Sequence, residues 1–138
     1  MSLKKGAFPI LDFDDNPQAV IQPDVLLKKR DDMPECVVMT FFKEVLDAVC
    51  ADAPVIIELR SELGPYPVYR LETEFGPVAA LHAGLGSALS AGIMEEVIAL
   101  GGRKIIACGG AGVLVEGIDV GHVVVPETAL RDEGASYH

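Results

Sequence analysis

No apolar stretch in this chain reaches the roughly 18 to 20 residues that a membrane-spanning helix needs. The opening Met-Ser-Leu-Lys-Lys runs into Gly6 and Pro9 rather than an apolar core, so it does not read as a secretory signal. Cations are scarce: 11 Lys and Arg stand against 21 Asp and Glu, a formal charge of −10. That balance argues against a general nucleic-acid binder, because phosphate backbones call for clustered Lys and Arg. It does not exclude a small anionic substrate, whose pocket is set by local groups. Cysteine is sparse as well. Cys36, Cys50 and Cys108 lie in apolar segments, are odd in number and lack metal-ligand spacing, so they read as buried free thiols in a reducing cytoplasm. A Gly-Lys-Ser/Thr phosphate loop is missing throughout, which argues against a nucleoside triphosphatase. A dinucleotide fingerprint starting at Gly84-x-Gly86 would need glycine at position 89, where Leu89 stands.

What is present suits one α/β domain. The chain has 138 residues, half of them apolar, enough for a real core and too hydrophobic for a disordered chain. Residues 1–34 read as an irregular arm broken by Pro9, Pro17, Pro23 and Pro34. Cys36 to Phe41 is a β-branched and aromatic run that predicts a buried strand. Phe42 to Ala51 carries apolar residues at 42, 45, 46 and 49, one face of a short helix. Val55 to Leu59 reads as a strand. Pro67 to Phe75 alternates as a half-exposed strand, and Gly76-Pro77 turns it into Val78 to His82 as a hairpin. The clearest helix runs from Ser87, as N-cap, to Leu100, with Leu89, Ile93, Val97 and Leu100 in one stripe and Gly101-Gly102 as its stop. Strands are expected at Lys104 to Cys108 and His122 to Pro126. The whole predicts a three-layer α/β/α arrangement with a mixed central sheet.

Two glycine-rich loops follow apolar strands. Ala83-Gly84-Leu85-Gly86-Ser87 leads into the best helix, where bare backbone and unpaired N–H groups suit a phosphate or a polar sugar edge. The plain alternative is a tight strand-to-helix turn without a ligand. Gly109-Gly110-Ala111-Gly112 ends the strand at 104–108, and strand ends in open α/β sheets are a usual place for ligands.

Gly84-Leu85-Gly86, the run Ile105-Ile106-Ala107-Cys108-Gly109-Gly110-Ala111-Gly112, and Arg131-Asp132-Glu133-Gly134-Ala135-Ser136-Tyr137-His138 occur in an order and spacing that resemble the nucleoside phosphorylase family. That family contains bacterial purine nucleoside and uridine phosphorylases. Asn16 to Ile21 and Pro67-Val68-Tyr69 resemble a divergent uridine-phosphorylase-like branch. The resemblance implies that residues 1–138 form the N-terminal part of a nucleoside-phosphorylase-like domain, incomplete at its C-terminus. It implies pentosyl transfer from a nucleoside to phosphate, uridine or a related nucleoside being favoured. Phosphate is the co-substrate, with no cofactor and no metal, in a cytoplasmic homo-oligomer that binds neither nucleic acid nor membrane. A non-catalytic binding or assembly module of the same fold, or a hydrolytic nucleosidase, stays open beside it.

The resemblance also implies where ligands sit. Arg60, Gly109 and Gly110 are phosphate candidates, Arg60 as a residue lent to a neighbouring subunit. Gly84, Leu85 and Gly86 are ribose and loop candidates, Leu85 standing where the family has methionine. Ala107 and Gly110 replace the usual arginine and hydroxyl residue. The family's Gly-Asp-Pro-x-Arg loop is matched to Gln22-Pro23-Asp24-Val25-Leu26, which lacks both glycine and arginine; Lys28, Lys29 and Arg30 just after it read as a solvated charge run. His82 reads as a strand histidine satisfied by backbone, and Glu95 or Glu96 as solvent-facing. An internal ion pair is the plain reading of Arg131, Asp132 and Glu133. No catalytic residue is assigned, and the chain alone is expected to be inactive.

Overall fold

The computed structural model describes residues 4–16 and 18–135. β1 (Cys36–Thr40) reads Cys-Val-Val-Met-Thr, apolar toward both faces, a pattern that suits a strand with neighbours on either side. It pairs in parallel with β4 (Gly76–His82) on one side and β5 (Lys104–Cys108) on the other. β2 (Val55–Ser61), β3 (Gly64–Thr73) and β4 form an antiparallel meander. The result is a mixed five-stranded sheet in the order β2-β3-β4-β1-β5. The β3–β4 connection is tighter than the Gly76-Pro77 pair suggests. Thr73 and Gly76 already face each other across the ladder, so Glu74-Phe75 form the tip and Gly76 opens β4. The Thr73 hydroxyl fixes this tip by donating to the Gly76 carbonyl at 2.7 Å and accepting from the Phe75 N–H at 3.2 Å.

Helices cover opposite faces, because successive strand residues point to opposite sides. α3 (Ser87–Leu100) buries Ile93, Val97 and Leu100 among Val37, Met39, Leu59, Val68, Ala79 and Leu81, with Leu89 partly buried beside them. Each fully buried side chain of this size contributes about 1.5–3 kcal/mol. α2 (Lys43–Val49) lies on the other face, where Leu46 and the following Cys50 meet Ala80. The α/β/α layering expected from the sequence is therefore present. α3 stops at Gly101-Gly102, whose N–H groups both close on the Val97 carbonyl, at 3.2 and 2.9 Å.

Several local expectations change. Ser87 is the first helical residue and not the cap; Gly86 holds the cap position without any side-chain bond. The apolar face of α2 is mostly open: Phe42, Val45 and Val49 are exposed, because a two-turn helix over β4 directs only Leu46 inward. Cys50 is buried, but Cys36 and Cys108 are exposed, and all three are free thiols. The two exposed ones sit at the ends of β1 and β5, where cover by the helices runs out. Within the stretch read as an irregular arm, α1 (Pro23–Leu26) forms one helical turn. Leu27 and Met33 then join the main core, and the Arg30 N–H bonds the Leu100 carbonyl at 2.9 Å.

Residues 18–109 make one compact unit; residues 1–17 with 110–138 make a second. The second contains a short 3-10 turn at Pro9–Leu11 and an isolated bridge between Lys4 and Phe13. The strand expected at His122 to Pro126 is not formed. Val123, Val124 and Val125 are exposed, and no described residue takes up the backbone groups of this run in a ladder. An apolar run becomes a strand only where a neighbour accepts those bonds. The chain turns just before this run, with the Asp119 N–H donating to His122 Nδ1 at 2.9 Å, and the run itself is irregular.

One carboxylate on α3 ties stability to pH. Glu95 is exposed and Glu96 is half-buried, and burial pushes the Glu96 carboxyl above its ordinary range. A raised carboxyl favours the protonated fold. Its stabilising contribution is full below the unfolded pKa of about 4.3 and is lost as pH rises through the folded value. Glu96→Gln should therefore melt at a higher temperature than the parent chain at pH 7 and at the same temperature near pH 3. Calorimetry at the two pH values checks the sign.

Candidate functional site

Three parallel strands end side by side. Thr40 is level with His82 on β4 and with Cys108 on β5. Just past these ends the backbone is cross-linked. The Ala83 N–H donates to the Thr40 carbonyl at 2.8 Å and the Phe41 N–H to the Cys108 carbonyl at 3.0 Å. The Thr40 side chain, 6% exposed, accepts from the Phe42 N–H at 3.1 Å. His82 accepts from the Gly84 N–H through Nδ1 at 3.1 Å, so it is held by backbone, as the sequence suggests. This edge is therefore preorganised.

The connections leaving it diverge. The chain after β1 enters α2 on one face, and the chain after β4 enters α3 on the other. Adjacent parallel strands whose connections leave to opposite sides define a topological switch point, the place where open α/β sheets collect ligands. α3 begins here with no side-chain cap, so its first N–H groups and the positive end of its dipole face this edge.

The glycines here have steric reasons of their own. Gly84 has φ +75, and a Cβ there would lie 2.8 Å from Leu89 Cγ and 3.0 Å from Ile93 Cδ1. Its bareness lets α3 pack close to β4. A Cβ on Gly109 would lie 2.8 Å from Phe41 Cδ2, so Gly109 is bare because the Phe41 ring rests against it. Gly86, with φ +88, opens onto free space, and Leu85 between the two loop glycines is 76% exposed. The loop thus offers an exposed apolar side chain flanked by accessible backbone.

The Phosphorylase superfamily model matches residues 35–138. The chain belongs to that superfamily. Uridine phosphorylase of Escherichia coli (strain K12) is 31% identical over 91 residues. This match takes in 66% of the present chain but only 35% of that protein, so the superfamily chain described here spans about a third of its relative's length.

Of the residues singled out from the sequence, Gly84, Leu85, Gly86 and Gly109 of this superfamily member lie at the switch point. Arg60 does not. It is exposed near the end of β2, the outermost strand on the far side of β3. β2 runs in the same direction as β4, so Arg60 reaches the same edge of the sheet, two strand spacings or about 10 Å from the loop after β4. Gly110 falls in the other compact unit. Ala107 is exposed on β5, opposite Met39. In the segment 131–135, Glu133 accepts the Ala135 N–H at 2.8 Å; Ser136, Tyr137 and His138 lie outside the described residues.

Gln22–Leu26 is not the loop at this edge. It forms α1, which follows none of the three strands, and the superfamily match begins only at residue 35. The segment that does leave β1 is Thr40-Phe41-Phe42-Lys43, and its one cation, Lys43, is paired with Asp47. In the charge run beyond α1, Arg30 forms a two-pronged pair with Asp32 at 2.8 and 2.7 Å. These bonds hold the Asp32 carboxyl below its ordinary range.

Sequence reading missed Thr40, Phe41 and Ser90. The Ser90 hydroxyl, in the first turn of α3, is enclosed without a partner among the described residues. Helical side chains tilt toward the helix N-terminus, which for Ser90 is toward this edge. Its place one turn after the Gly84-x-Gly86 pair was the available signal. Among the described residues no group of three or more His, Cys, Asp and Glu side chains is gathered to hold a metal.

Proposed function

We infer that the switch point is part of the site of a nucleoside phosphorylase-type pentosyltransferase, with uridine or a related nucleoside as substrate and phosphate as acceptor. The observation that carries this is the convergence of three parallel strand ends on the uncapped N-terminus of α3 in a superfamily chain. Phosphate would attack the anomeric carbon as the bond to the base breaks, through a transition state with cationic sugar character. The chain's contribution is placement and electrostatics. The first N–H groups of α3 and the Ser90 hydroxyl would donate to the phosphate or to ribose oxygens. Leu85 would lie against the apolar face of the ribose. Arg60, at the same edge but apart from the loop, suits a residue lent to a neighbouring copy, which makes the working unit a homo-oligomer in the cytoplasm.

On this reading residues 1–138 are the N-terminal part of a larger domain, and the leaving base is handled by groups that this chain does not supply. Ala107 and Gly110 bring neither charge nor hydroxyl to the phosphate. Losing even one preorganised donor from such a site costs about 2.7–4 kcal/mol of transition-state stabilisation. The 138-residue chain by itself should therefore release no base from uridine, inosine or adenosine above the uncatalysed rate. A protein that continues this chain to the length of the uridine phosphorylase should turn uridine and phosphate into ribose 1-phosphate. Turnover by the 138-residue chain would overturn the division of the site. Free ribose made without phosphate would replace phosphorolysis with hydrolysis, the outcome that the uncharged Ala107 position favours. No turnover by the longer protein would leave a binding module.

A further inference from the structure

We propose that His82 is a positioning residue of the switch point: its unprotonated Nδ1 holds the Gly84-Leu85-Gly86 loop in place, and protonation of the ring releases that loop. The loop's part in binding a nucleoside rests on the reading given above. The chain leaves β4 through two anchored N–H groups. Ala83 donates to the Thr40 carbonyl at 2.8 Å and Gly84 to His82 Nδ1 at 3.1 Å. Beyond them, Leu85 and Gly86 donate to no described residue before α3 begins. The His82 ring is therefore the last tether on the loop. It is itself half-buried, its centroid 6.3 Å from that of Tyr66 on β3, a partly buried side chain packed against the main core.

A backbone N–H can only donate, so Nδ1 is the bare nitrogen and Nε2 carries the proton; an imidazolium has no acceptor left. Histidine is the side chain that makes this change between about pH 5 and 8. The surroundings offer a charged ring nothing in return. Tyr66 is the titratable group beside it. Thr40, level with it on β1, and residues 87–90 at the start of α3 carry no charge. Cys108 stands one strand beyond Thr40, and Arg60 lies across β3 on β2. On α2 stand Glu44 and Lys43, the latter taken by Asp47. The uncapped start of α3 adds the positive end of its dipole, which disfavours a cation. Charging the ring thus breaks the tether, and no ion pair among the described residues replaces it.

The three histidines, at 82, 122 and 138, are told apart in NMR spectra of the 138-residue chain by the signals lost in His82→Asn. The asparagine amide oxygen can stand in for Nδ1 as an acceptor, and it does not titrate. Between about pH 8 and 5 the Gly84 amide signal should move with the His82 ring signals and share their midpoint. In His82→Asn it should stay fixed. His82→Ala should lower the protection of the Gly84 amide from hydrogen exchange about tenfold at neutral pH, the loss of one hydrogen bond, and His82→Asn should restore it. A Gly84 amide that stays still while the ring titrates would overturn the proposal, as would one that still titrates in His82→Asn. Should His82→Ala fail to fold, the parent titration decides alone. Uridine turnover by the longer protein separates this from the nucleoside reading. An acid limb that follows the His82 ring and is absent in His82→Asn supports both. An acid limb kept by His82→Asn, with the Gly84 amide released as expected, upholds the tether and removes the loop from the substrate's site.

Discussion

Leu81→Ala is expected to lower the unfolding free energy by about 2–5 kcal/mol. Leu81 is fully enclosed. It belongs to β4, which is paired on both sides, and it packs in the cluster that joins the sheet to Ile93 and Val97 of α3. Strands on either side and a helix above leave little freedom to collapse into the space removed, which places the change toward the upper part of that range. Leu85→Ala, four residues on and largely exposed, should fall within about 0.5 kcal/mol of the parent. Urea unfolding of the pair measures the contrast. A cost for Leu81→Ala below about 1 kcal/mol would mean that α3 is not locked onto β4. The placement of the site would then lose its support, since Leu81 immediately precedes His82 and the glycine loop.

Gly84→Ala should cost about 2–4 kcal/mol, and Gly86→Ala about 1–2 kcal/mol. Both glycines adopt positive φ, +75 and +88, backbone that costs an L-residue about 1–3 kcal/mol. Only Gly84 adds a collision, because its Cβ would sit 2.8 Å from Leu89 Cγ and 3.0 Å from Ile93 Cδ1. Neither neighbour can retreat without moving α3, and overpacking of this kind typically costs about 1–3 kcal/mol. The Gly86 Cβ would meet nothing within 4 Å. Unfolding curves for the two variants under one set of conditions decide the matter; equal losses would show that conformation alone requires both residues.

This contrast explains how much of the site could be read from the sequence. α3 was legible to its last residue: the 3.6-residue stripe from Leu89 to Leu100 and the Gly101-Gly102 stop are local signals, and the structure keeps both. The meander was legible for the same reason, since alternation in β3 and a turn near Gly76 specify a hairpin without knowledge of the rest of the chain. What could not be read depends on neighbours remote in sequence. Gly109 looked like a ligand contact, but its bareness answers to Phe41, 68 positions earlier by the β1–β5 register. The run at His122 to Pro126 has strand composition but joins no ladder among the described residues. Thr40 and Phe41 gave no motif at all, because their significance comes from the strands that flank β1. The family's Gly-Asp-Pro-x-Arg loop was matched by resemblance to Gln22 to Leu26, a stretch that the structure puts at α1, after none of the three parallel strands.

The same arrangement of β1 has a consequence for how the chain folds. Its two partners, β4 and β5, are both distant in sequence: Cys36 must find Val78 on one side and Lys104 on the other. The β2–β3–β4 meander needs only short closures. Long closures carry the larger entropic cost and slow the search for the native state. The meander and α3 therefore supply the early, local part of folding, and insertion of β1 between β4 and β5 is the late step. The Thr40–Ala83 and Phe41–Cys108 hydrogen bonds form only on that insertion. The edge at the switch point is thus created by long-range closure, and any partly folded form lacking β1 has a sheet but no switch point.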